Sequence, residues 1–142
     1  MLVWLKRVFL GLSASALCTS ALAQTNDFTL ADWPTTAAPL KPVYVKAIME
    51  QAGIHRVSFS RDTAFYVTAL DSFAHLAQEK NYRPYLKTSV AQNLATLAVV
   101  HCDWNNGIEP WEFAQKYLGA EQLALLQTHY PDAITKLRKN CE

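Results

Sequence analysis

Between residues 61 and 102 the chain carries two runs in which apolar side chains return every three or four residues. Phe65, Ala69, Leu70, Phe73, Leu76 and Ala77 make the first, and Leu86, Val90, Leu94, Leu97 and Ala98 the second. That interval matches the turn of an α-helix, so each run predicts a helix with one face in a core. Ser60 is a good N-cap and Asp62 is an anion at the positive helix end, which predicts a helix over 61–80. Asn81 to Arg83 reads as a turn, and Pro84 opens a helix predicted to reach about Cys102. The last turns of that helix, Thr96 to Val100, are apolar nearly all round, which predicts the central position in the fold.

The same reasoning extends to both sides. Val43 to Gln51 predicts a helix with Pro42 in its first turn and Gly53 as its stop. Pro110 begins a short helix ending near Leu118, followed by Gly119. Segments 120–129 and 131–139 add two more, separated because Pro131 has no N–H to continue a helix. The expectation is all-α: a single compact bundle of five or six helices. A two-stranded hairpin around Arg56 to Phe59 is the one β element left open.

The N-terminus has a different character. Lys6 and Arg7 precede an apolar run from Val8 to Leu17, and Ala21-Leu22-Ala23 has the A-x-A form read by signal peptidase. This layout predicts a cleaved secretory signal over residues 1–23 and hence a periplasmic location. The run is shorter than the roughly 20 residues of a membrane span, which disfavours an uncleaved anchor. Leu17 stands where a lipobox before Cys18 would need a small residue, which disfavours lipidation. Segment 24–41, rich in Thr, Ala and Pro, reads as an extended N-terminal arm, leaving 42–142 as the helical domain.

Cleavage changes the balance of the chain. Losing 23 of 142 residues, with Lys6 and Arg7 among them, leaves 119 residues and turns a net charge of +1 into −1. That length suffices for one core. So small a charge offers no electrostatic footprint for nucleic acid or for an anionic membrane surface. A scarcity of Gly and Pro beside 51% hydrophobic residues excludes disordered and collagen-like chains. Of three cysteines, Cys18 leaves with the signal, and Cys102 and Cys141 remain as an even pair in an oxidising compartment. The expectation is one disulfide. Thiol chemistry is the weaker reading, because there is no C-x-x-C and Asp103 beside Cys102 would raise the thiol pKa.

Few residues are arranged for catalysis or ligation. None of His55, His75, His101 and His129 pairs with another at helical spacing, as a zinc-binding face requires. His101-Cys102-Asp103 points in three directions on a helix, since neighbours differ by about 100°. The loop from Asp103 to Glu109 resembles a calcium loop, but Ile108 stands where glycine belongs and Ala114 where the bidentate Glu belongs. Glu109 and Glu112 suit a helix N-terminus better than a glycosidase pair. There is no G-x-S-x-G, no C-x-x-C-H and no phosphate-cradling glycine loop. The expectation is a binding protein with no metal and no cofactor. A hydrolase using Glu109 or Asp103 is the rival enzymatic reading.

Trp33, Tyr44, Tyr82, Tyr85, Trp104, Trp111 and Tyr130 lie near predicted element ends. Each is expected to pack across a helix end, with the Trp104–Trp111 stretch and its polar Asn105-Asn106 tip the candidate for contact with a partner. The C-terminal half has a further layout: Cys102, Gly107-Ile108-Glu109, Gln115-Lys116-Tyr117-Leu118, Pro131 and Cys141. Together with Phe65-Tyr66-Val67-Thr68-Ala69-Leu70-Asp71, it resembles the Rap/Tai type of periplasmic immunity protein that accompanies type VI secretion amidase effectors. Trp104 departs from the Pro usual at that place. The resemblance implies a small helical protein that binds and blocks a secreted amidase or other peptidoglycan hydrolase, often as a homodimer. The residues nominated for that contact are Trp104, Asn105, Asn106 and Glu109. A periplasmic chaperone or envelope assembly factor is the alternative, and neither reading calls for nucleic acid or a membrane after signal cleavage.

Overall fold

The computed structural model describes residues 28–142, so the export signal read at 1–23 lies outside the described residues. Two 3-10 turns, Trp33–Thr35 and Ala38–Leu40, lead into α1 (Lys41–Ile54) and α2 (Thr63–Glu79). Then come α3 (Arg83–Lys87), α4 (Val90–Val100), α5 (Pro110–Tyr117), α6 (Gly119–His129) and α7 (Pro131–Arg138). The all-α class is as the sequence predicts, and Cys102 is bonded to Cys141 with their Cα atoms 5.8 Å apart. No described helix is long and apolar enough to cross a membrane. In place of a hairpin at residues 56–59 there is an isolated antiparallel bridge between Ser58 and Asn105.

The seventh helix arises because the run expected over 84–102 is broken. Thr88 is extended (ψ 155°), and Ser89 then caps α4 by accepting from Gln92 N at 3.1 Å. A break inside a core exposes backbone groups that need partners. The N-terminal segment supplies them: Leu30 N donates to Thr88 O at 3.0 Å, and Val90 N donates to Phe28 O at 2.9 Å. From inside, the Asn93 amide donates to Thr88 Oγ1 at 2.8 Å and to Ser89 O at 2.9 Å.

That pairing corrects the picture of an extended arm. From Phe28 onward the segment is folded into the body, and Leu30 and Trp33 are completely buried. Trp33 Nε1 donates to Asp71 Oδ1 of α2 at 2.8 Å, and Lys41 Nζ meets the same oxygen at 2.6 Å. Helix α4 is central, as its composition predicts, with Val90, Asn93, Leu94, Thr96, Leu97, Ala98 and Val99 all buried. Helix α2 buries Tyr66, Leu70, Phe73, Ala74 and Ala77. The stripe is therefore turned by about one residue from the predicted one, leaving Phe65, Ala69 and Leu76 half-buried. Helix α2 also begins later than expected, because Asp62 is the N-cap, accepting from Phe65 N at 2.8 Å.

Four helices end with a residue in the left-handed region that is not glycine: Arg56 (φ 62°), Asn81 (φ 55°), Cys102 (φ 56°) and Asn140 (φ 54°). In each case the next N–H reaches back five residues. Val57 N bonds Ala52 O at 3.1 Å, Tyr82 N bonds Ala77 O, Asp103 N bonds Ala98 O and Cys141 N bonds Lys136 O. This is the Schellman ending, which satisfies carbonyls that the last turn leaves free. Gly53, expected to stop α1, is instead inside it.

Candidate functional site

The loop between α4 and α5, residues 101–109, contains every residue nominated for partner contact. Its base is fixed twice. Cys102 is tied to Cys141 after α7, and Asp103 turns inward, where it is 4% exposed. Asp103 Oδ1 accepts from Ser60 N at 2.7 Å and from Ser60 Oγ, while Oδ2 accepts from Arg61 N at 3.2 Å and from Tyr66 Oη. Four donors fill the acceptor capacity of an ionised carboxylate. Burial pushes this carboxyl up, but the bonds from Ser60, Tyr66 and Arg61 outweigh it and hold the group below its ordinary value. Burial, and then the bond to Asp103, raise the Tyr66 hydroxyl above the usual phenol range, so Tyr66 stays a donor.

Above this base the loop is shaped by its own side chains. Ser58 N donates to Asn105 O at 2.8 Å. Asn105 Oδ1 accepts from Gly107 N at 3.1 Å, and Asn106 Oδ1 accepts from Ile108 N at 3.1 Å. These two side chains mimic backbone turns and brace the tip, with Gly107 at φ 80°. Trp104 is a half-buried wedge, edge-on to Phe59 at 5.6 Å and tilted against Phe113 at 5.1 Å. Its buried Nε1 has no hydrogen-bond partner among the described residues. Asn105 and Glu109 are exposed, and Asn106 is half-buried. Glu109 precedes α5 without its side chain capping the helix. On the flank, Trp111 N donates to Asn140 Oδ1 at 3.3 Å, and the Arg138 guanidinium lies 5.2 Å from the Trp111 ring centre.

The residues considered for ligation do not converge. Cys102 is consumed by its disulfide, Asp103 faces inward, and exposed His101 sits edge-on to Phe65 at 5.1 Å. Partial burial, and then the nearby cations Arg61 and Lys136, hold His101 below its ordinary value. Among the described residues, no group of three or more His, Cys, Asp or Glu is placed to hold a metal ion. The aromatic residues pack as expected across helix ends. Trp33 and Tyr85 are fully buried, and Tyr44, Tyr82, Trp104, Trp111 and Tyr130 pack half-buried against the core. Tyr82 also stacks on His129, with its hydroxyl 2.8 Å from Nδ1.

Sequence reasoning found the loop but missed the cluster beneath it. Ser60 and Arg61 read as a helix start and Tyr66 only as part of the stretch that carries the resemblance, and no local motif joins them to Asp103 across some forty residues. The weak signal was Asp103 itself, a carboxylate directly after a predicted central helix. No protein-family model matches this chain, and no curated protein or solved structure matches it.

Proposed function

We propose that the protein is an exported immunity protein that binds a cell-wall amidase of the type VI secretion class and occludes its active-site cleft. The observation that carries this reading is the preorganised loop at 103–109. A loop braced by its own side chains loses less entropy on docking, so its contacts convert more fully into affinity. Asn105 and Glu109 offer hydrogen-bonding groups at the tip, while Trp104 anchors the loop from beneath instead of serving as an exposed hot spot. Occlusion of this kind is steric and requires no reaction. The resemblance in residues 65–141 and the export signal read at 1–23 support the same assignment.

The test is protection. Cells lacking the gene should arrest when the amidase encoded beside it is delivered to the periplasm, and should recover when the wild-type chain is supplied. Glu109→Arg, at an exposed position whose side chain caps nothing, should leave thermal stability unchanged, and Asn105→Lys, which also loses the bond from Gly107 N, should lower it by about 0.5–1 kcal/mol. Each should weaken binding to the purified amidase by about tenfold or more, equivalent to about 1.4 kcal/mol. If deletion leaves growth unchanged under periplasmic delivery of the effector, the immunity reading is lost.

A further inference from the structure

The tip of the loop between α4 and α5 carries an asparagine followed directly by a glycine, Asn106-Gly107. That pair has a chemistry of its own. The backbone nitrogen after an asparagine can attack the side-chain amide carbon and close a five-membered imide, which is why asparagine counts among the thermolabile residues. A side chain on the following residue hinders the approach, and glycine has none. The Gly107 position also opens on space, since a Cβ built there would meet nothing within 4 Å. Gly107 is exposed and Asn106 half-buried, so water reaches the pair.

Two hydrogen bonds bear on this reaction in opposite senses. Ile108 N donates to Asn106 Oδ1 at 3.1 Å. That oxygen takes on negative charge during the attack, so a donor already in place stabilises the tetrahedral intermediate as an oxyanion hole does. The same bond closes a small ring containing both the Asn106 amide carbon and the Gly107 nitrogen, which keeps the two reacting atoms near each other. On the other side, Gly107 N donates to Asn105 Oδ1 at 3.1 Å. The nucleophile is the deprotonated nitrogen, and an acceptor on the N–H keeps that proton in place.

We propose that Asn106 is a self-modification site, where the chain converts its own side-chain amide to a carboxylate at a rate restrained by Asn105. Hydroxide removes the Gly107 N–H proton, the nitrogen bonds to Asn106 Cγ, and the Cγ–Nδ2 bond breaks. Ammonia leaves with a proton from water, which regenerates hydroxide, and no atom is oxidised or reduced. Water then opens the imide. Cleavage of the new Cγ–N bond leaves aspartate. Cleavage of the original peptide bond leaves isoaspartate, whose main chain runs through the former side chain and is one carbon longer. Either product adds a negative charge to a loop that already carries the exposed Glu109. Isoaspartate also makes the Asn106 side-chain carbonyl part of the main chain, which abolishes the turn it forms with Ile108. The modification does not depend on the immunity reading. Its consequence rests on that reading: where this loop is the partner surface, binding falls as the chain ages.

Peptide mapping by mass spectrometry tests the proposal on the full-length gene product, folded and with its disulfide intact, during incubation in mildly alkaline buffer. Asn106 should gain about one dalton, take up one oxygen from heavy-oxygen water and yield isoaspartate as part of the product, while Asn81 and Asn140 stay amides. The rate should rise about tenfold per pH unit, as proton removal by hydroxide requires. Asn105→Ala should raise it by about two- to tenfold, the equivalent of one hydrogen bond. Asn106→Gln, which would have to close a six-membered ring, should stop it. A folded chain that keeps Asn106 as the amide while the same chain in urea converts completely overturns the proposal. So does a rate that Asn105→Ala leaves unchanged or lowers. Aged protein that has converted yet binds the purified amidase as before supports the modification and removes this loop from the partner surface, so the two readings fail separately.

Discussion

At Asp103 a single carboxylate joins the start of α2 to the end of α4. Two of its donors are backbone N–H groups of Ser60 and Arg61, and the other two are the hydroxyls of Ser60 and Tyr66. Truncation to Ala would orphan all four, of which the Tyr66 hydroxyl lies in a buried residue while Ser60 and Arg61 are exposed and can turn to water. The lost charge-assisted bonds and the orphaned Tyr66 hydroxyl should together destabilise the Asp103→Ala chain by about 2–3 kcal/mol. Tyr66→Phe removes one donor to a charged group and should cost about 1.5–3 kcal/mol. A double-mutant cycle by urea denaturation should find the pair strongly coupled. Part of the pH dependence follows from Asp103 and His101, both lowered. Folding holds Asp103 below its ordinary 3.8, so its contribution is whole above about pH 4 and is lost as pH falls through the lowered value. His101 is held below its ordinary 6.5, so the unfolded chain takes up that proton first and stability begins to decline below about pH 6.5. The urea midpoint should therefore fall in two stages on acidification, and His101→Gln should remove the upper one. A midpoint flat from pH 7 to about pH 5 in the wild-type chain would contradict the His101 stage.

Helix endings are where sequence and structure part most often, and Arg56 shows why. Its φ of 62° is the left-handed conformation, which costs a residue with a Cβ roughly 1–2 kcal/mol and glycine almost nothing. Arg56→Gly should therefore raise stability by about 0.5–1 kcal/mol in thermal or urea unfolding, once the greater entropy of unfolded glycine is set against the relief. Gly53 is the counterpart: a Cβ there would meet open space, and it sits inside α1, where glycine is a poor helix former. The sequence thus offers a glycine three residues before the turn that would favour one, and reading Gly53 as a stop follows from that displacement. Core helices were legible because burial repeats with the helical turn, and α4 is legible almost residue by residue. Caps were less so, since Ser60 and Asp62 are both good N-caps and only the distant Asp103 decides that Ser60 is used elsewhere. The break at Thr88 and the burial of Leu30 and Trp33 are one event. Neither has a local signature, because each supplies the hydrogen bonds or the cover that the other lacks.

Considered whole, the molecule holds its C-terminal helices to its centre through one covalent link and a moderate apolar contact. Helix α7 contributes Ile134 and Leu137 to the core, and its last residues carry Cys141 back to Cys102 at the end of α4. That link also anchors the root of the candidate partner loop. Closing a loop between residues 39 apart lowers the entropy of the unfolded chain by an amount worth about 4 kcal/mol, less any native-state strain. For a domain with a total stability of about 5–15 kcal/mol, that is a large share. Replacing Cys102 and Cys141 together by Ser should lower the urea midpoint by about 1.3–4 M, taking an m-value of about 1–3 kcal/mol/M. The oxidised wild type in reductant-free buffer is the reference. A loss below about 1 kcal/mol would mean that the reduced, unfolded ensemble already keeps these ends close. If the loop at 103–109 is the partner surface, the same double substitution should also weaken amidase binding at temperatures where the chain is still folded. The loop would then keep only its Asp103 anchor at the base, and part of its ordering would have to occur on binding. Affinity that survives the substitution unchanged would move the docking surface away from this loop.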